Sequence, residues 1–166
     1  MDEPDQVIAT DGVVTLKPPR PGDSQHLVEG RDEEFFRWLG PGAEVPGPVA
    51  CVWVGDELIG WVDYDLEQSW LQLGQVNVGY YLFPAARGKG YASRAVELLL
   101  THLRRDTAHA VATLVIDPEN ARSLALGPPP RVRGGGCGRE RLVLHPRHVC
   151  AIVIGAPGFE PGTNGL

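Results

Sequence analysis

A chain of 166 residues with 43% apolar and 22% charged side chains has the composition of one globular domain with its own core, and is short for two. No apolar run nears the roughly 20 residues of a membrane-spanning helix, and the acidic start at residues 1–5 is unlike a secretory leader. The net charge of −6 is uneven, with 10 Lys/Arg against 19 Asp/Glu in residues 1–126 and five against two in residues 127–166; so acidic a body excludes nucleic acid as the expected partner, because phosphate neutralisation needs clustered Lys and Arg.

Residues 12–17 are β-branched and apolar and stop at Pro18-Pro19, which predicts a strand. Asp23 and Ser24 are capping types for a short helix through residues 26–28, and Asp32-Glu33-Glu34 opens a second that ends near Leu39. The apolar positions Leu27, Phe35, Trp38 and Leu39 fit helices that cover a sheet face. Residues 40–48 hold three Pro and three Gly and read as a loop. A hairpin follows, with strands at 49–54 and 58–64 and the turn Gly55-Asp56-Glu57 between them.

After a polar connection at 65–74 carrying Trp70 and Leu71, residues 75–83 form another strand, halted by Pro84. Apolar residues at 92, 95, 96, 98, 99, 100 and 103 keep a helical period and predict a helix with one buried stripe. Residues 111–116 are wholly apolar but for Thr113, as in a strand covered on both faces. Asp117-Pro118-Glu119 starts a last helix, at least through Leu126. The order β, α, β, β, β, α, β, α is that of an α/β protein with a mixed sheet. The three cysteines, Cys51, Cys137 and Cys150, have no metal or redox spacing, so free thiols, no metal and a cytoplasmic location are expected.

The chemistry lies between the strand at 75–83 and the helix after it, at Arg87-Gly88-Lys89-Gly90-Tyr91-Ala92. Two glycines let the backbone turn sharply and approach a ligand closely. The free N–H groups of the helix's first turn then face that space, where the helix dipole favours an anion. A diphosphate suits such a site, with Lys89 and Arg94 adding charge at the rim. A Walker A loop needs Gly-Lys-Ser/Thr, and here Gly90 follows Lys89. A dinucleotide fingerprint needs a third glycine where this chain has Ser93. A plain strand-to-helix turn is the structural alternative.

Residues 78–92 resemble the central motif of the GNAT N-acetyltransferases, Arg/Gln-x-x-Gly-x-Gly/Ala, with Arg87, Gly90 and Ala92 in its three specified positions. Downstream, residues 116–123 resemble the family's next strand and an Asn-x-x-Ser helix start, here Asn120 and Ser123, in the form of the branch similar to ribosomal-protein alanine acetyltransferases. The resemblance covers about residues 12–126. It implies a mixed, mostly antiparallel sheet flanked by helices and splayed between its fourth and fifth strands. It also implies acetyl-CoA as cosubstrate and a primary amine as acceptor, with no nucleic acid and no membrane partner.

The implied cofactor contacts are the backbone of Val78, Tyr80 and Leu82 on the splayed strand, the loop residues Arg87, Gly88, Lys89, Gly90, Tyr91 and Ala92, and Asn120 on the pantetheine arm. Ser123 would hydrogen-bond the departing thiolate. Asn120 and Ser123 are equally good helix-capping residues. The implied reaction is direct attack of an amine on the thioester, helped by oriented donors and by positioning.

The chain departs from the family pattern twice. Where many members carry a strand Glu as general base it has Gln75 and Asn77, which cannot take up a proton. Asp63, with Asp65 and Glu67 near it, is the candidate acid, and Tyr64 an acceptor-site candidate; a solvated strand end is the alternative. Then, after Leu126, 15 of the last 40 residues are Gly or Pro and the charge changes sign. That composition reads as a frameshifted or otherwise non-homologous tail over 127–166 behind an incomplete domain at 1–126, which would leave a sheet edge uncovered. A flexible loop followed by substitute strands at 142–144 and 149–154 is the other reading. A non-catalytic acyl-CoA-binding module, or an inactive truncated member, is the alternative function.

Overall fold

Strands appear where β-branched and apolar residues alternate or cluster, and they pair in the order in which the chain makes them. The computed structural model describes residues 6–69, 71–107, 111–117, 119–124 and 148–153. Its strands are β1 Ala9–Thr10, β2 Val14–Lys17, β3 Ala50–Val54, β4 Glu57–Asp65, β5 Gln75–Leu82, β6 Val111–Ile116 and β7 His148–Val153, forming one sheet in that spatial order. Every neighbouring pair is antiparallel except β5 and β6, which run parallel. A parallel pair needs a crossover, and α3, Tyr91–Asp106, supplies it. The other helices are α1 Asp23–Glu29, α2 Glu33–Leu39 and α4 Ala121–Leu124. The short β1 precedes the first strand expected from the sequence, so the fourth and fifth strands of that reading are β5 and β6.

The helical period of residues 92–103 resolves as one buried stripe on α3, made of Ala95, Val96, Leu99, Leu100 and Leu103. It packs on a sheet face built from Val14, Leu16, Val52, Val62, Val76, Val78 and Ala112, most of them fully buried. Burying several large aliphatic side chains, at about 1.5–3 kcal/mol each, is the main force holding the crossover to the sheet. On the opposite face Leu27 of α1 covers Cys51, Trp53 and Leu58, and burial raises the Cys51 thiol to about 12. That thiol is a packing group. The β3–β4 hairpin closes through the two-residue turn Gly55-Asp56, since Val54 pairs with Glu57.

The expectation of an open edge at β6 is corrected. β7, from within the atypical tail, pairs with β6 along its whole length, from Val111↔Val153 to Ile116↔His148. The pairing is carried by backbone groups, so an apolar, β-branched segment such as residues 148–153 suffices whatever its origin. The end of the expected last helix, the Gly/Pro/Arg run, Cys137 and the expected strand at 142–144 lie outside the described residues, as does Trp70.

Candidate functional site

The parallel pairing of β5 with β6 lasts only three residues, Gln75↔Val111, Val76↔Ala112 and Asn77↔Thr113. At its end the buried Thr113 hydroxyl donates to the Val76 carbonyl at 3.1 Å. Beyond Asn77 and Thr113 the strands diverge, and residues 78–82 on one side and 114–116 on the other line a cavity of about 280 Å³. Trp38 and Leu39 of α2 and Ser123 of α4 complete its walls. This is the splay expected from the sequence.

Successive residues of a strand send their backbone groups to opposite neighbours. The N–H of Phe83 donates to Ile59 of β4 at 2.8 Å, and the Val76 carbonyl faces β6. That phase turns the backbone groups of Val78, Tyr80 and Leu82 away from β4 and into the cleft. They form a row of polar groups on one wall, although the Leu82 carbonyl accepts from Arg87 Nε at 3.1 Å.

The row leads to the N-terminus of α3. Gly88 and Gly90 have φ of +74° and +79°, values that cost other residues about 1–2 kcal/mol. Among the described residues a Cβ on either would meet nothing within 4 Å, so the missing side chains leave space in front of the loop. Gly90 is the N-cap of α3, and no side chain among the described residues caps the helix. The Arg94 N–H returns to Gly90 as the first intrahelical bond, which leaves the earlier first-turn donors without intrahelical partners. Gly88, Gly90, Tyr91, Ala92 and Ser93 all line the cavity. An uncapped helix start facing an open cleft is a fit for an anion.

Arg87 behaves differently from a free phosphate ligand. Its guanidinium grips Asp32 with two prongs, Nη1 to Oδ2 at 2.7 Å and Nη2 to Oδ1 at 3.1 Å, and Nη1 also lies 3.2 Å from Glu34. Its side chain is 15% exposed, so most of its donors are engaged in holding the loop to α2. Asp32 also caps α2 through the Phe35 N–H and accepts from the Tyr81 hydroxyl at 2.8 Å. The Arg87 hydrogen bond holds the Asp32 carboxyl well below the usual carboxylate range, while burial raises Tyr81 to about 12. Lys89 is exposed and does not line the cavity. Arg94 pairs with Asp11 at 2.8 Å.

Across the cleft, Asn120 Oδ1 accepts from the Ser123 N–H at 3.1 Å and so caps α4. The capping role foreseen for Asn120 is therefore present, and the residue also lines the cavity. Ser123 Oγ meets the Tyr80 hydroxyl at 3.0 Å. Glu34 of α2 bonds Arg122 of α4 at 3.0 Å, joining two helices over the cleft. Asp32 and Glu34 were not legible as site residues, because their partners lie far away in sequence, 55 residues for Asp32 and Arg87 and 88 for Glu34 and Arg122.

Asp63 does not itself line the cavity and stands one strand behind its wall. It stands on β4 directly opposite Gly79 of the cavity wall, with Oδ1 accepting from the Val49 and Tyr64 N–H groups at 3.0 Å each. Burial raises its pKa against those two bonds. Tyr64 pairs with Val78 and packs against the core beneath α3. Asn77 donates to Asp65 at 3.2 Å.

Residues 46–127 match the sequence model of the acetyltransferase (GNAT) domain. No curated protein sequence matches the chain. Among solved structures, a GNAT-family acetyltransferase from Bacillus anthracis superposes with a TM-score of 0.68 at 16% identity, covering 90% of this chain and 99% of that one. The ribosomal L7/L12 alpha-N-protein acetyltransferase RimL, in complex with coenzyme A, gives 0.67 at 17% identity, covering 92% and 100%. The aminoglycoside acetyltransferase AAC(6')-Ib, in complex with coenzyme A and kanamycin, gives 0.67 at 16% identity, covering 84% and 94%. At these identities the structural likeness establishes the fold.

Proposed function

Since residues 46–127 match the acetyltransferase (GNAT) domain, we propose that this chain moves the acetyl group of acetyl-CoA to a primary amine, on a protein N-terminus or a small molecule, in the cytoplasm. One observation carries the reading: a single cleft whose wall of inward-facing backbone groups at Val78, Tyr80 and Leu82 ends at the uncapped start of α3. That sequence of features matches an extended ligand with amide groups along its arm and a diphosphate at its end. The N–H groups of Gly88, Gly90 and the first turn of α3 hold the diphosphate, with Lys89 at the rim. Arg87 serves by fixing the loop, and Asn120 turns its amide nitrogen to the pantetheine arm.

The amine nitrogen attacks the thioester carbonyl carbon, forming a C–N bond and an oxyanion that the strand N–H groups stabilise. Collapse breaks the C–S bond and leaves its electron pair on sulfur, where Ser123 donates a hydrogen bond. The proton lost by the attacking nitrogen passes through water to Asp63, the half-buried carboxylate behind Gly79. Its raised pKa suits a base better than that of an exposed aspartate.

The second reading is an acyl-CoA-binding module without catalysis, favoured by Asn77, whose amide cannot accept the amine's proton. RimL and AAC(6')-Ib, with a protein and an aminoglycoside acceptor by name, suggest the assay panel. Thiol release from acetyl-CoA is followed with aminoglycosides, polyamines and peptides bearing free N-termini. Turnover with one class identifies the acceptor. Binding of acetyl-CoA with no turnover across the panel overturns the enzymatic reading in favour of the module.

A further inference from the structure

Tyr80 offers the cleft its backbone, and its side chain also reaches across to α4. Tyr80 comes from β5 and Ser123 from α4, 43 residues later, and their hydroxyls meet at 3.0 Å. Both residues line the cavity. Ser123 is thus held twice, at its backbone by the Asn120 cap and at its hydroxyl by Tyr80.

A serine hydroxyl has one proton to give and two lone pairs to receive. With the phenol as donor, one lone pair of Ser123 is filled and its own proton is left for another acceptor. We propose that Tyr80 is a positioning residue for the leaving group: its O–H donates to Ser123 Oγ and so turns the serine proton toward the departing sulfur. The inference rests on the acetyl-CoA reading of the cleft and adds to it the group that orients its thiolate donor. When the C–S bond breaks, the electron pair goes to sulfur and the Ser123 hydrogen bond shares that charge. No proton has to cross in that step, and the thiolate is protonated afterwards from water. Burial keeps the Tyr80 phenol protonated to higher pH than a free tyrosine, against the opposing effect of the Ser123 bond, so the donor persists through the working range.

The test uses the full chain, free coenzyme A and the ultraviolet absorbance of its thiolate. Bound coenzyme A is titrated with pH on wild type, Tyr80→Phe, Ser123→Ala and the double variant. Wild type is expected to ionise the bound thiol at lower pH than Tyr80→Phe by roughly 0.5–1 unit, part of the roughly 1–2 units that a full hydrogen bond to a charge is worth. Ser123→Ala shows at least as large a rise, and adding Tyr80→Phe to it changes nothing further, because the phenol acts only through the serine. In turnover, Tyr80→Phe lowers kcat by about five- to tenfold and leaves the KM for acetyl-CoA within about twofold. If coenzyme A binds but its thiol ionises at the same pH on wild type and Tyr80→Phe, or if the two substitutions add, Tyr80 has no such role while the acetyl-CoA reading stands. If folded wild type fails to bind coenzyme A, both fall.

Discussion

Arg87 grips the carboxylate of Asp32 with two hydrogen bonds, at 2.7 and 3.1 Å, and thereby ties the start of the β5–α3 loop to the start of α2. Planar guanidinium and planar carboxylate match in this geometry, which a lysine cannot reproduce. Arg87→Lys is therefore expected to lower stability by about 1–2 kcal/mol, read from chemical denaturation. Its effect on acetyl-CoA affinity should be smaller than that of changes in the loop glycines. A larger loss of affinity than of stability would show that the guanidinium itself holds phosphate.

The same pair sets a pH dependence. Asp32 is depressed in the folded chain, first by Arg87, so its contribution is fully present above the unfolded carboxylate range near pH 4 and is lost as pH falls through the lower folded value. Wild type should lose stability between about pH 4 and 2, where the Asp32 share of that loss is absent from Asp32→Asn. Parallel acid denaturation curves for the two proteins would contradict this.

Gly90 caps α3 at φ +79°. Gly90→Ala should cost about 1–2 kcal/mol of stability through that angle alone. By displacing the first-turn N–H groups it should also weaken acetyl-CoA by at least about tenfold. Calorimetry and thermal unfolding of the one variant give both numbers.

Asp63, raised by burial, predicts an acid limb in the pH profile of kcat/KM above the ordinary carboxylate range. Activity rises with pH as the group ionises and becomes able to accept a proton. Asp63→Asn keeps the acceptor oxygen for the Val49 and Tyr64 N–H groups, so the fold should persist while that limb disappears. A limb unchanged in the variant would assign the base elsewhere.

The tail makes a separate prediction. We propose that residues 127–166 replace the native end of the domain after a frameshift, with β7 as a substitute cover for β6. Removing residues 148–166 should then expose the backbone groups of Val111–Ile116 and give soluble aggregates by light scattering. Monomeric, equally stable truncated protein would contradict the cover. A single uninterrupted reading frame with the same tail in close relatives would contradict the frameshift.

Local signals carried most of the fold. The period of residues 92–103 gave α3, and the apolar run at 111–116 gave β6 at its observed bounds, because burial acts on each segment's own pattern. The glycine loop was legible because positive φ and an uncapped helix start are local matters too. What the sequence hid is what depends on distant pairing. Asp32 looked like a helix cap and is one, but its hold on Arg87 joins segments 55 residues apart. Tyr80 read as a strand residue, and only the splay brings its hydroxyl to Ser123. Asp63 read as a candidate acid, and only the pairing of β4 with β5 shows that it stands one strand behind the wall, within reach of the cleft through water alone.

If the α3 start holds the diphosphate of acetyl-CoA, a charge placed in its first turn must compete with that ligand. Titrating the full chain calorimetrically with acetyl-CoA, beside Ser93→Glu, tests it most directly. A carboxylate in the first turn of α3 favours the helix but repels a diphosphate, so the variant should fold at least as well as wild type. Wild type should bind saturably and one-to-one, and Ser93→Glu should bind at least about tenfold more weakly. No binding by folded wild type, or equal binding by both proteins, would contradict it.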